Sequence, residues 1–190
     1  RQEDYDGAIA DYSQALRINP HADHVLYNRA LAYGYAGLFS QAIDDYSRLL
    51  NYQPNDPDVY FYRGNAYYDV GDYRRALADY RNVLQRNGND SAAYNSAAQA
   101  LFALEEYGRA FKAFKKANSL KPADLAVLAG LAITYQALGN TSEAQRIWRT
   151  LLEMQRNYVD VDWVQGRFNW APPLVDVARE LIRSVADMTD

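Results

Sequence analysis

Tyr60-Phe61-Tyr62-Arg63-Gly64-Asn65-Ala66-Tyr67 and, beyond a Val70-Gly71-Asp72 break, Tyr73-Arg74-Arg75-Ala76-Leu77-Ala78-Asp79-Tyr80-Arg81-Asn82-Val83 decide the fold of this chain. In the second segment Ala76, Tyr80 and Val83 stand at i, i+4 and i+7, which places them on one face of a helix. Tyr60, Gly64 and Tyr67 make the same stripe in the first segment, with a small residue at its centre where another helix can approach closely. Gly71 supplies a residue able to take left-handed backbone angles between the two stripes. The segment therefore predicts two short amphipathic helices joined by a tight turn.

The same hairpin recurs in both directions along the chain. Ala8, Ala42, Ala76, Ala110 and Ala144 stand 34 residues apart, and four residues after each comes a ring: Tyr12, Tyr46, Tyr80, Phe114 and Trp148. Ala15, Leu49, Val83, Ala117 and Leu151 complete the stripe. The preceding helix repeats as Leu26/Ala30/Tyr33, Tyr60/Gly64/Tyr67, Tyr94/Ala98/Leu101 and Leu128/Ala132/Tyr135. Turns recur at Ala36-Gly37-Leu38-Phe39 and Leu138-Gly139-Asn140-Thr141. Asn19-Pro20, Gln53-Pro54 and Lys121-Pro122 mark the other boundary, because proline cannot continue a helix. Gly88 preserves that break at its phase, whereas Arg156 does not, so the last of these helices is expected to run on toward Tyr158.

This register resembles the tetratricopeptide repeat family from Gln2 to Tyr158, with Gly64, Tyr67, Gly71, Tyr73, Ala76, Tyr80 and Val83 carrying the best-matched repeat. The resemblance implies an all-α fold, a right-handed solenoid of antiparallel helical hairpins. Residues 1–22 read as the second helix of a leading repeat, followed by full repeats at 23–56, 57–90, 91–124 and 125–158. Residues 159–190 read as a degenerate fifth hairpin that caps the stack, all within one solenoid domain. Its second helix is placed from about Pro173 to Asp187, with Leu174, Val177, Ala178, Leu181 and Val185 on the apolar face. Asp176, Arg179, Glu180 and Arg183 form the wetter face that a terminal repeat needs.

In this family the first helix of each hairpin lines a concave groove. Carried over by phase, the groove positions are Tyr27, Asn28, Leu31 and Tyr35, then Phe61, Tyr62, Asn65, Tyr68 and Asp69. Later repeats add Asn95, Ser96, Gln99 and Phe102, then Ala129, Ile133 and Gln136; the degenerate hairpin adds Trp163, Arg167 and Trp170. The partner-binding candidates are Tyr27, Asn28, Tyr35, Phe61, Tyr62, Asn65, Tyr68, Asn95 and Gln99. Tyrosine anchors a partner with a ring and a hydroxyl, and amides bond both the N–H and the C=O of an extended peptide. At the phases where relatives that clamp a chaperone's terminal carboxylate carry Lys, Arg and Asn, this chain has Tyr27, Leu31, Tyr62, Ala92 and Ser96. Recognition of a chaperone tail is therefore not implied.

Composition narrows the remaining chemistry. With no cysteine there are no disulfides, thiolate metal sites or cysteine nucleophile. Net charge is -4 and no dense basic track is present, so nucleic acid is not an expected partner. No apolar run is long enough for a membrane helix. The opening Arg1-Gln2-Glu3-Asp4 does not resemble a signal peptide and lacks an initiator Met, so the chain is expected to be a fragment or a processed form.

The only histidines, His21 and His24, lack a ligand set for a metal, and no glycine-rich phosphate motif or cofactor fingerprint occurs. Adjacent acids such as Asp44-Asp45 and Glu105-Glu106 point in different directions on a helix and read as solvated charges, as do Arg74-Arg75 and Lys115-Lys116. The expectation is a non-catalytic scaffold without cofactors that binds a protein or peptide in its groove. An assembly or dimerisation platform, or a regulatory module attached to an enzyme outside this sequence, is the alternative.

Overall fold

The computed structural model describes residues 5–186. The helices are α1 (Tyr5–Ile18), α2 (Asp23–Tyr35), α3 (Phe39–Tyr52), α4 (Pro57–Asp69), α5 (Tyr73–Arg86), α6 (Ser91–Ala103), α7 (Tyr107–Leu120), α8 (Leu125–Ala137), α9 (Thr141–Met154), α10 (Val161–Phe168) and α11 (Pro172–Ala186). A short 3-10 helix, Arg156–Val159, lies between α9 and α10. Helices α2/α3, α4/α5, α6/α7 and α8/α9 pair as hairpins, so the chain is an all-α tetratricopeptide-type solenoid. It divides into two compact units, Arg1–Gly88 and Asn89–Asp190.

Helix starts are written into the sequence. Asp56 Oδ1 accepts from the backbone N–H groups of Asp58 (2.9 Å) and Val59 (3.3 Å), and Pro57 occupies the first helical position, where its missing N–H costs nothing. Asp72, Asp90, Asp124 and Asn140 cap α5, α6, α8 and α9 in the same way. Gly37, Gly71 and Gly139 turn the chain at φ of 75°, 80° and 80°. At the same phase Glu105 holds φ 61°, a conformation that its Cβ disfavours.

In the first unit, α2/α3 and α4/α5 form hairpins and α1 packs on α2. Ala42, Tyr46 and Leu49 are buried with Leu26 and Ala30, and Ala76, Tyr80 and Val83 repeat the arrangement. A Cβ placed on Gly64 would lie 2.8 Å from Tyr80 Cε1, so the small residue is required by the close approach of α4 and α5. Two polar triads stitch the helices together. Arg29 on α2 binds Asp45 on α3 through both carboxylate oxygens (2.7 and 2.8 Å) and donates to Ser13 on α1 (3.0 Å). Arg63, Asp79 and Ser47 reproduce that geometry one repeat later, at 2.8, 2.8 and 3.1 Å. Asp45 is therefore not a solvated acid, as its place in an acidic pair had implied; it is 3% exposed and paired, while Asp44 beside it is exposed.

In the second unit, α6/α7 and α8/α9 continue the hairpins around Ala98, Phe114, Ala117, Val127 and Leu131. The triad positions here are Ala97 and Ala113, so apolar packing replaces the ion pair. α9 stops at Met154 rather than running on to Tyr158. Gln155 is extended, and Tyr158 turns back so that its carbonyl accepts from Trp148 Nε1 (3.2 Å) and its ring meets Trp148 edge-on at 5.8 Å. Burying two rings outweighs one more helical turn.

Trp163, Phe168 and Trp170 extend this aromatic cluster, with Trp170 only 3% exposed. Helix α11 begins at Pro172 and packs on α9, α8 and α6 as well as on α10. The end expected at Asp187 lies outside the described residues. No helix among those described is long and apolar enough to cross a membrane.

Candidate functional site

Helices α2 and α4 run side by side in the first unit with α3 behind them, and their tyrosines form one cluster. The Tyr62 ring stacks on Tyr46 (6.3 Å between centroids, 16°) and meets Tyr27 edge-on at 6.0 Å; Tyr27 in turn meets Tyr46 at 6.2 Å. Phe61 sits beside both Tyr62 (5.9 Å) and Tyr80 (6.0 Å). Such offset and edge-to-face contacts hold aromatic side chains in fixed positions, so little freedom is lost when a ligand packs on them.

A hollow of ≈ 330 Å³ opens against this cluster, with Leu31, Tyr35, Tyr46, Tyr62, Asn65 and Asp69 among its walls. That volume falls in the range of sites for small ligands or a few peptide side chains. Asn65 is oriented from behind: the buried Tyr80 hydroxyl donates to its Oδ1 at 2.9 Å. That bond fixes the side-chain amide, whose N–H groups are its donors. A second, more open hollow of ≈ 540 Å³ lies by Tyr27, His24 and Asn28, walled by Asp23, Asp56 and Asp58. Tyr27 thus joins an aromatic wall to an acidic one.

The electrostatics follow from this placement. Burial first, then Tyr62 and the Asp58 carboxylate, push the Tyr27 hydroxyl up to about 12, and burial raises Tyr46 further. Both hydroxyls stay protonated across the physiological range. Among the described residues no group of three His, Cys, Asp or Glu could hold a metal ion. His21 packs edge-on against Tyr52 at 5.3 Å.

The structure brings Tyr27, Phe61, Tyr62 and Asn65 into one neighbourhood, with Asn28 exposed at its edge. Tyr35 is 67% exposed and stacks on Tyr5 at 5.6 Å. Tyr68 is buried and packs edge-on against Tyr73 (5.3 Å), with its ring turned into the hairpin. Asn95 and Gln99 lie on α6 in the second unit, where Gln99 is 8% exposed. Tyr46 and Asp69 complete the hollow. Tyr46 belongs to the core stripe and is 2% exposed, but its ring also forms the floor.

A stack of paired antiparallel helices recurring every 34 residues defines the class of a helical-repeat protein. The chain belongs to the tetratricopeptide repeat family. Two models of that repeat match residues 1–37 and 101–162, and a model for subunit 3 of the anaphase-promoting complex, or cyclosome, matches residues 36–117. No curated protein matches the chain by sequence.

Several solved structures share the fold. MamA, residues 41 to the end, from Desulfovibrio magneticus RS-1 superposes with a TM-score of 0.77 at 19% identity, over 83% of this chain and 89% of that one. A tetratricopeptide repeat protein from Parabacteroides merdae gives 0.78 at 21% identity, over 97% and 69%. The first repeat domain of Spaghetti (RPAP3), bound to the HSP90 peptide SRMEEVD, gives 0.60 at 26% identity, over 62% and 93%.

Proposed function

We propose that this chain is a non-catalytic scaffold and that the α2–α4 face of its first unit holds an extended segment of a partner protein. The observation that carries this reading is the Tyr27–Tyr46–Tyr62 cluster beside an Asn65 whose carbonyl is already engaged by Tyr80. Fixed rings provide apolar contact, and an oriented amide provides a donor for a peptide carbonyl; together they suit a backbone threaded through the hollow. The peptide held by the Spaghetti domain supports segment binding as a mode open to this fold.

The charge of the walls argues for a different ligand from that acidic peptide. Asp69 lies in the aromatic hollow, and Asp23, Asp56 and Asp58 surround the neighbouring one. Carboxylates along the path repel an acidic tail and favour a segment carrying Lys or Arg next to an apolar or aromatic residue. The test is capture of partners from the native source by wild type, Tyr62→Ala and Asn65→Ala. Both variants are expected to lose at least tenfold of the captured partner, roughly 1.4 kcal/mol, with helical content intact. Equal capture by folded variants would remove the site from this face.

A further inference from the structure

Helix α11 does not stack as the second helix of a fifth hairpin. In a repeat array each hairpin touches its immediate neighbours. α11 instead reaches back over α9 and α8 to α6, two hairpins earlier. Apart from the intervening α7, it is the element of the second unit that packs on both α6 and α8.

Burial at the groove phases changes where α11 passes. Leu31 on α2 and Asn65 on α4 are half-buried, but their counterparts Gln99 on α6 and Ile133 on α8 are 8% and 0% exposed. Tyr27 and Phe61 are half-buried, whereas Ala129 at the same phase is fully buried. α11 buries a continuous stripe of Leu174, Val175, Ala178, Leu181 and Val185, and leaves Asp176, Glu180 and Arg183 in solvent. α11 thus packs on the second helix α9 and on the first helices α8 and α6, and its seat across two first helices is the geometry of a helix-in-groove ligand.

The stripe that α11 buries is apolar throughout. Buried side-chain atoms without a hydrogen-bond partner include Asn95 Oδ1 on α6, Gln136 Oε1 on α8 and Trp170 Nε1 at the joint leading into α11. All three lie in the second unit. The joint itself turns through Asn169 at φ 51° and enters α11 at Pro172-Pro173, so it forms a distinct break between α10 and α11.

We propose that α11 is a displaceable internal ligand of the α6–α8 face, and that a partner helix bearing the same aliphatic stripe takes its place. The proposal is independent of the α2–α4 site. An internal occupant reduces the apparent affinity for an external one by the fraction of molecules in which it is undocked. A change that loosens α11 without touching α6 or α8 therefore raises affinity for the external helix.

The experiment uses a fluorescent peptide with the sequence of residues 172–186, titrated by anisotropy with full-chain wild type and Leu181→Asp. The variant is expected to bind the peptide about tenfold tighter or more than wild type. The same peptide carrying Leu174→Ser and Leu181→Ser is expected not to bind either protein. A Leu181→Asp chain that keeps the helicity of α1–α10 and binds no better than wild type overturns the proposal. If the variant loses more helix than the 15 residues of α11, native-state hydrogen exchange on wild type decides. Exchange of α11 amides in an opening separate from that of α8 and α9 supports displacement, and exchange of all three as one cooperative unit overturns it.

Discussion

Removing the Asp79 carboxylate is the sharpest test of how the first unit holds together. Arg63 reaches Asp79 through two bonds of 2.8 Å and Ser47 through one of 3.1 Å, with side-chain exposures of 18% for Arg63 and 5% for Asp79. In Asp79→Ala the guanidinium keeps its charge but loses its bidentate partner in a place that water reaches poorly. Breaking one half of a buried ion pair costs about 3–5 kcal/mol. For a chain of this size about 2–4 °C of melting temperature goes with each kcal/mol, so a fall on the order of 10 °C is expected.

The second unit shows the control. Ala97 and Ala113 stand where Arg63 and Asp79 stand in the first, and the hairpin packs without any charge. Arg63→Ala/Asp79→Ala should therefore be less destabilised than the two single variants summed, with a coupling of about 2 kcal/mol or more in urea unfolding followed by circular dichroism. A loss below about 1 kcal/mol in Asp79→Ala, or strict additivity in the double variant, would refute the role given to the triad.

Further outcomes test particular contacts. A Cβ on Gly130 would lie 2.3 Å from Phe114 Cε1, and Phe114 is fully buried, so Gly130→Ala should destabilise by about 1–3 kcal/mol despite its better helix propensity. Gly108 has open space around it, so Gly108→Ala should instead be neutral or stabilise by up to about 1 kcal/mol in the same denaturation assay. Glu105→Gly should relieve the left-handed strain at φ 61° and raise stability by about 1 kcal/mol, seen as a later unfolding midpoint. In an alkaline titration read at the tyrosinate absorbance, Tyr27 and Tyr158 should both ionise near 12, and Tyr27→Phe should lower the amplitude of that late step without abolishing it. Because folding favours the protonated hydroxyl, its stabilising contribution is complete below the ordinary tyrosine value and falls as pH rises from about 10 to 12.

The hairpins were legible because a helix writes its buried face into the spacing of its residues, and the spacing repeats. Ala76, Tyr80 and Val83 could be assigned to the core from their register alone, and their burial follows. The neighbourhood of Tyr27, Tyr62 and Asn65 was legible by phase for the same reason. The triads were present as pairs of Arg, Asp and Ser at the repeat distance, yet Asp45 read as a solvated acid. A charge in sequence looks exposed until the partner that neutralises it is known.

The sequence by itself thus determined the elements, their order, their buried stripes and the family. Tertiary structure decided which polar residues are paired, which groove positions stay open, and where the last helix goes. Pattern determines which face of α11 must be buried, but an amphipathic face is satisfied by any apolar surface within reach. Its choice of α9, α8 and α6 depends on the distance spanned by the Asn169–Pro173 joint and on the shape of the surface those helices present. Those quantities exist only once the chain is folded.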